Sequence, residues 1–188
     1  MNVVVGAHIP EPTSVISPFK VSHHGVRTTR IPVLRDWYTT VLGLAVVFES
    51  DDLCLLTFDN EHHRLSLLRA DDAHTPSPER NGIEHAALTY VSLGDLVSTY
   101  ERLKELDIKP YGCVNHGPTT SIYYSDPDGN HLELLVDNFP NVEALKAWFA
   151  TGEHDRHPHG VPFDPDKLTR KFHAGVPVPE LLKQGSTD

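Results

Sequence analysis

The alternation of apolar and polar residues divides the chain into two segments that share one order of predicted elements. In the first segment, apolar side chains recur at helical spacing from Leu34 to Leu42, after Pro32, and Gly43 stands where such a helix would end. A short alternating stretch before this helix predicts a strand up to Thr28. Three further strand-like runs follow the helix, at residues 45–49, 53–58 and 64–68.

The second segment repeats this order after a stretch rich in proline and charge. Residues 83–90 predict a strand, and Ser92 is of a type that caps helices. The helix that follows carries an apolar face from Leu93 to Leu106. The segment is completed by a strand at 121–124, an Asp-Pro-Asp-Gly turn at 126–129 and a strand at 132–136.

Two histidines fix the alignment of the two segments. His23 lies 15 residues before Tyr38, and His85 lies 15 residues before Tyr100. Each histidine is expected on the first strand of its segment, just before the helix. The matched order and spacing indicate an internal repeat. The sequence therefore predicts an α+β fold in which two tandem βαβββ modules form one pseudo-symmetric, curved mixed sheet.

Changes of composition set the expected boundaries. An N-terminal arm at 1–18 precedes the first module at 19–70, and a linker at 71–81 leads to the second module at 82–139. Residues 140–188 form a short helical C-terminal extension. Because this extension is too short for a domain, we expect it to pack against the modules or against another subunit.

Composition and charge exclude several classes of partner. The 188 residues hold 16 Lys and Arg against 26 Asp and Glu, a formal net charge of −10. Such an acidic surface argues against binding to nucleic acid or to an anionic membrane, and no apolar run approaches the roughly 18 residues of a spanning helix. Cys54 and Cys113 are too few for a disulfide framework or a thiolate metal cluster. We expect a cytoplasmic protein, whose 13 histidines are the feature to explain.

The repeat also predicts a metal site. If the two modules pair pseudo-symmetrically, His23 and His85 present two imidazoles to one centre. Glu133 stands between two leucines on an apolar strand, and a carboxylate buried there needs a cation or hydrogen bonds. Two imidazoles with one carboxylate suit Fe(II), and less distinctively Mn(II) or Zn(II). His24 remains an alternative to His23 as the ligand.

Several segments resemble the vicinal oxygen chelate superfamily. Residues 22–28 (Ser-His-His-Gly-Val-Arg-Thr) and 36–43 resemble its opening module, and residues 83–85 (Ile-Glu-His) resemble the start of its second module. The run from Tyr123 to Glu133, with Asp-Pro-Asp-Gly-Asn-His-Leu inside it, resembles its closing signature. This resemblance implies paired βαβββ modules around a metal ion.

Two more segments resemble the one-domain type I extradiol dioxygenases of this superfamily, at residues 61–67 and 115–123. The resemblance implies that His63 is an acid–base residue beside bound oxygen. It implies that His116 orients or protonates oxygen and that Tyr123 hydrogen-bonds the substrate oxygen.

The function implied by the resemblance is that of a non-haem Fe(II) dioxygenase. Iron, or Mn(II) in its place, would be held by His23, His85 and Glu133. The enzyme would insert both atoms of O2 into a catechol-type aromatic, giving a ring-opened semialdehyde or keto-enol acid in aromatic compound catabolism. Relatives of this kind usually assemble, so a homo-oligomer is expected, with a catechol and O2 as the other partners and neither nucleic acid nor a membrane.

Two other classes of function remain open. A glyoxalase-like isomerase or an epimerase of the same superfamily usually takes a second glutamate ligand from the first module, and residues 64–68 contain no acid. A non-catalytic protein that binds aromatic compounds typically lacks the metal ligands, whereas all three candidates are present here.

Simpler roles compete for individual residues. Because side chains alternate along a strand, His62 and His63 are not expected to face the site together. His116 can instead be a loop histidine bonded to backbone carbonyls, and Tyr123 an ordinary core tyrosine. Three histidines of the C-terminal extension fit a flexible polar tail better than a metal site: His154, His157 and His159.

Overall fold

The computed structural model describes Pro18, residues 20–71 and residues 83–187. These residues divide into two compact units. The first unit contains residues 20–71, 83–84 and 125–130, and the second contains residues 85–124 and 131–187. The predicted arm and linker lie almost entirely outside the described residues.

The first unit is a four-stranded sheet with one helix. Its elements are β1 (His24–Thr28), α1 (Ile31–Leu42), β2 (Ala45–Glu49), β3 (Leu53–Thr57) and β4 (Leu65–Arg69). The strand order is β1-β4-β3-β2, with β1 parallel to β4 and the other neighbours antiparallel. Buried residues of α1 pack on buried leucines of β3 and β4 to form the core of this unit: Ile31, Leu34, Tyr38, Leu56, Leu65 and Leu67.

The second unit repeats this arrangement and extends it. Its module consists of β5 (His85–Thr89), α2 (Leu93–Glu105), β6 (Gly112–Asn115), β7 (Thr119–Ser125) and β8 (His131–Asp137). The extension adds α3 (Val142–Ala150), a 3-10 turn at Glu153–Arg156, β9 (Val161–Pro162), α4 (Pro165–His173) and α5 (Val178–Leu181). The strand order is β5-β8-β7-β6-β9, with β5 parallel to β8.

The helices begin and end where their sequence signals lie. α1 has Pro32 in its first turn, and the N–H of Gly43 bonds to the carbonyl of Thr39 at its C-terminus. The hydroxyl of Ser92 accepts a hydrogen bond from the N–H of Asp95, which caps α2 as predicted. None of the helices among the described residues is long and apolar enough to cross a membrane.

The α+β class and the internal repeat are confirmed, because both modules place their first strand parallel to their last. The strands form two sheets, one in each unit, where the sequence predicted a single sheet. The extension packs on the second module, since β9 pairs with the edge strand β6. His23 lies one residue before β1 and not within it, whereas His85 is the first residue of β5.

The predicted turn at 126–129 belongs to the first unit and is held by buried hydrogen bonds. Asp126 is only 4% exposed and accepts hydrogen bonds from two backbone N–H groups of the turn and from the hydroxyl of Tyr38, at 3.1 Å. Thr28 donates from its hydroxyl to Asp128 at 2.6 Å. Burial raises the pKa of Tyr38, and the neighbouring Asp126 carboxylate raises it further.

Candidate metal centre and active site

A buried carboxylate and an imidazole meet on the paired strands β5 and β8. The register places Ala87 opposite Glu133, so that His85, two residues earlier, lies on the same face of β5 as Ala87. Glu133 is 6% exposed, and its Oε2 lies 2.9 Å from Nε2 of His85. The sheet register therefore brings together two of the three predicted metal ligands.

Tyr123 and His116 extend this pair into a hydrogen-bonded chain. The hydroxyl of Tyr123 donates to Oε1 of Glu133 at 2.7 Å and lies 2.8 Å from Nε2 of His116. The imidazole of His116 also donates to the backbone carbonyl of His159. A neutral His116 that uses its Nδ1 proton for this carbonyl presents Nε2 as an acceptor. The single Tyr123 hydroxyl proton then has two acceptors within reach, on Glu133 and on His116.

Burial keeps these two groups neutral. It raises the pKa of Tyr123, and the nearby Glu133 carboxylate raises it further. Burial is also the main cause of the lowered pKa of His116, and the positive charge available to His85 lowers it again. At neutral pH, Tyr123 therefore keeps its phenol proton and His116 keeps a neutral imidazole, which can accept a hydrogen bond at Nε2.

The structure adds two aromatic residues that the sequence analysis did not single out. His131 lies two residues before Glu133 on β8, on the same face of the strand. Its ring stacks on Tyr111 with 4.8 Å between centroids, and the Tyr111 ring lies 5.8 Å from that of Tyr123. Tyr111 is 52% exposed, so these rings form an open aromatic rim. The spacing of His131 from Glu133 was the sequence signal for this neighbour.

His23 and His63 lie together in the first unit. His23 is exposed, and its ring centroid is 4.1 Å from that of His63 and 6.1 Å from that of His62. The rings of His62 and His63 both lie near that of His23, and which of the two faces the site stays a prediction. Strand alternation does not apply, because the residues before β4 form a bend and Nδ1 of His62 lies 2.7 Å from Nδ1 of His63.

The electrostatic surroundings of His63 and His24 favour the neutral forms of these two imidazoles. Burial is the largest cause of the lowered pKa of His63, followed by the positive charges available to His23 and His62. His24, the alternative ligand, lies on β1 with a half-buried side chain. Burial and the neighbouring His23 lower the pKa of His24.

One of the three histidines named in the C-terminal extension, His154, packs against aromatic side chains. His154 lies in the 3-10 turn, and its ring packs 5.3 Å from that of Phe149 and 6.0 Å from that of Trp148. Across residues 20–71 and 83–187, no group of three or more His, Cys, Asp and Glu side chains is arranged to hold a metal ion. The pair of His85 and Glu133 fits a hard divalent cation, because its imidazole nitrogen and carboxylate oxygen are donors of the types predicted for the metal site.

The paired βαβββ modules define a class of fold found in solved structures of low sequence identity. A glyoxylase/bleomycin resistance protein/dioxygenase domain from Frankia sp. EAN1pec matches with a TM-score of 0.56 at 18% identity, covering 64% of this chain and 99% of that one. A protein of the same description from Alicyclobacillus acidocaldarius matches with a TM-score of 0.53 at 18% identity, covering 70% and 99%. The model of the Glyoxalase/Bleomycin resistance protein/Dioxygenase superfamily matches residues 20–134, and the chain belongs to this family.

Curated relatives in one organism are considerably more similar in sequence. Biphenyl-2,3-diol 1,2-dioxygenase 2 of Rhodococcus globerulus is 44% identical over 163 residues, which cover 86% of this chain and 86% of that protein. Biphenyl-2,3-diol 1,2-dioxygenase 3 of the same organism is 39% identical over 164 residues, with the same coverage of both chains. These matches extend the resemblance well beyond the two modules.

Proposed function

We propose that this chain is a non-haem Fe(II) extradiol dioxygenase, which inserts both atoms of O2 into a catechol-type aromatic. The observation that carries the proposal is the buried Glu133 carboxylate, in contact with His85 and hydrogen-bonded through Tyr123 to His116. The two biphenyl-2,3-diol dioxygenases at 44% and 39% identity support this reaction class. The product is a ring-opened semialdehyde or keto-enol acid.

His23, His85 and Glu133 would hold the metal in this proposal. One carboxylate and two neutral imidazoles leave open positions on a divalent ion, and Fe(II) is the ion that this set suits best, with Mn(II) as a substitute. Bound there, the metal would favour the ionised form of a catechol and supply the redox chemistry that activates O2. The hydrogen bond from Tyr123 would fix the rotation of the Glu133 carboxylate, as outer-shell partners do for metal ligands.

Tyr123 and His116 would handle protons at the substrate oxygen. When the substrate oxygen arrives, the neutral Tyr123 hydroxyl can donate a hydrogen bond to it, or take its proton while the hydroxyl's own proton moves to Nε2 of His116. The raised pKa of Tyr123 and the lowered pKa of His116 keep both groups in the states that this exchange needs. His63, whose pKa is also lowered, would serve as the acid–base residue on the side of His23.

The register of the first module disfavours the isomerase or epimerase alternative. Ala87, two residues after His85, pairs with Glu133, whereas Gly25, two residues after His23, pairs with Ser66. A hydroxyl therefore stands where the second glutamate of such an enzyme would be required. The pairing of Glu133 with His85 likewise disfavours a binding protein without metal, because such proteins typically lack the metal ligands.

Anaerobic reconstitution with Fe(II) tests the proposed function directly. The protein is loaded with iron, mixed with 2,3-dihydroxybiphenyl and exposed to air, while O2 uptake and the yellow ring-opened product are recorded. We expect stoichiometric uptake of O2 with product, and a panel of monocyclic catechols then defines the substrate range. Neither uptake nor yellow product with any catechol, in protein that retains iron, would refute the dioxygenase. The matched control is Asp137→Asn, which changes an exposed acid at the end of β8.

A further inference from the structure

The short bend that carries His116 is held by the C-terminal end of the chain. Asn115 is 4% exposed, and its Nδ2 donates to the carbonyl of Leu182 at 2.9 Å. The carbonyl of Asn115 accepts a hydrogen bond from Nε2 of Gln184 at 3.0 Å. Its Oδ1 accepts from the N–H of Gly117 at 2.9 Å, which closes the bend around His116. The backbone is therefore bonded to a side-chain amide on each side of His116, to that of Gln184 before it and to that of Asn115 after it.

A second part of the extension lies directly behind the His116 ring. The carbonyl of His159 accepts a hydrogen bond from this imidazole. Gly160 has φ of +87°, and a Cβ there would lie 2.5 Å from Cγ1 of Val114, 2.9 Å from the carbonyl oxygen of Asn115 and 3.0 Å from Nδ1 of His116. Only a glycine lets the extension approach the ring this closely.

A third contact covers the residue after His116. Trp148 of α3 lies so close to Gly117 that a Cβ on this glycine would be 2.3 Å from Cη2 of the indole. The indole is itself held by rings on either side, with centroids 5.6 Å from Phe139 and 5.0 Å from Phe149. The bend is thus confined by a rigid aromatic surface as well as by hydrogen bonds.

We propose that the extension is a positioning element for His116, in which Gln184, Gly160 and Trp148 hold the imidazole at hydrogen-bond distance from Tyr123. The inference rests on the proposed function for the role of His116, but the placement of the ring is independent of that function. A loop residue without such contacts samples many conformations, and a displacement of about 1 Å at a reacting group can cost about a hundredfold in rate. The extension therefore acts on catalysis through the position of the His116 ring.

Gly160→Ala tests the contact behind the ring, with Gly152→Ala and Gly175→Ala as matched controls. All three glycines have φ between +75° and +87°, so each alanine bears similar backbone strain. At Gly175 nothing lies within 4 Å of the new Cβ, and at Gly152 the nearest atom is 3.9 Å away. We expect Gly160→Ala to lower kcat by about tenfold or more, while KM for the catechol and the metal content stay within about twofold. The controls should keep the kcat of the unmodified chain.

Gln184→Ala provides a test that does not strain the backbone, with Lys183→Ala as the exposed neighbouring control. We expect a several-fold fall in kcat from Gln184→Ala alone, with urea unfolding that matches the control. The second readout is the pair of ring-nitrogen chemical shifts of His116 in metal-free protein, identified by their absence from His116→Gln. These shifts should move in Gly160→Ala and in Gln184→Ala, and stay unchanged in the three controls.

The outcomes separate this inference from the proposed function. If no variant, nor the unmodified chain, cleaves a catechol but the His116 shifts move as expected, the positioning role stands and the dioxygenase fails. If the unmodified chain is active, and Gly160→Ala and Gln184→Ala match their controls in kcat and in the His116 shifts, the positioning role is wrong. A fall in kcat with unchanged His116 shifts also overturns it, because the effect then does not pass through this ring.

Discussion

Glu133 and His85 lie on hydrogen-bonded strands of the second unit, whereas His23 and His63 of the first unit lie on segments that precede strands. The carboxylate in the second unit is buried and bonded to Tyr123, while His23 is exposed and its ring packs against those of His62 and His63. The proposed site residues are thus held more firmly by the fold in the second unit than in the first.

This difference follows from how each backbone segment is held. A residue within a sheet has its direction set by the strand register, so His85 and Glu133 meet without any ligand. A residue outside the ladder depends on side-chain contacts, as His62 and His63 do, whose Nδ1 atoms lie 2.7 Å apart. We expect the second unit to be the preorganised half of the site, and the first unit to gain most of its order from the metal.

Replacing the buried carboxylate should give the largest effect. Glu133→Gln keeps the shape of the side chain and an acceptor for Tyr123, but it removes the charge that a divalent cation requires. We expect loss of iron and a fall in activity of more than about a hundredfold. This fall exceeds the effect of removing a residue that only hydrogen-bonds to a metal ligand. Iron is measured by a chelator assay and activity by O2 uptake. Glu133→Gln protein with iron at the level of Asp137→Asn would mean that Glu133 is not a ligand.

Removing the Tyr123 hydroxyl should give the next largest effect. Tyr123→Phe breaks the link between Glu133 and His116, and we expect kcat to fall by about a hundredfold, the lower end for a proton-transfer group, with iron retained. The control is Tyr124→Phe, because the buried Tyr124 hydroxyl has no hydrogen-bond partner among the described residues. Equal rates in the two variants would remove Tyr123 from the reaction.

The paired histidines of the first unit should give a smaller effect. We expect His63→Ala to keep iron and to lower kcat by about tenfold. This effect is smaller than that of removing a fully buried proton-transfer group, because the His63 side chain is partly exposed to solvent. His62→Ala is the matched control, since its ring lies farther from His23, at 6.1 Å against 4.1 Å. Steady-state kinetics at saturating O2 measure both. A larger loss in His62→Ala would assign the acid–base role to His62.

The same contrast explains how much the sequence could predict. Periodicity and the matched histidines predicted both modules, and the leucines flanking Glu133 predicted its burial, because these signals belong to regular strands and helices. Alternation does not apply at His62 and His63, which lie before β4 and outside any strand. The contacts of His116 with residues 159–160 join parts of the chain more than 40 residues apart, and no local pattern encodes them.

The first unit does contain a buried polar network, at the turn near α1 and not at its histidines. Tyr38→Phe removes the hydroxyl that donates to the buried Asp126, and we expect a loss of about 1.5 to 3 kcal/mol, the range for a hydrogen bond to a charged group. Tyr124→Phe removes a buried hydroxyl of the second unit that has no described partner, so its free energy of unfolding should not fall, because no hydrogen bond is lost. Urea unfolding measures both. Equal losses would mean that the Tyr38–Asp126 bond contributes nothing to stability.

The smallest expected effect concerns the pH dependence of folding in the first unit. Burial, and then His23, lowers the pKa of His24 below 6.5 in the folded chain, so the unfolded chain binds this proton at a higher pH. The contribution of a neutral His24 is fully present above pH 6.5 and is lost as the pH falls below that value, because protons then favour the unfolded state.

Urea unfolding of the metal-free protein at about pH 8 and about pH 5.5 brackets this window. The unmodified chain should lose more free energy of unfolding between the two values than His24→Gln does. Because the other histidines are shared by both proteins, an equal loss in the two would show that His24 binds its proton alike in the folded and the unfolded chain.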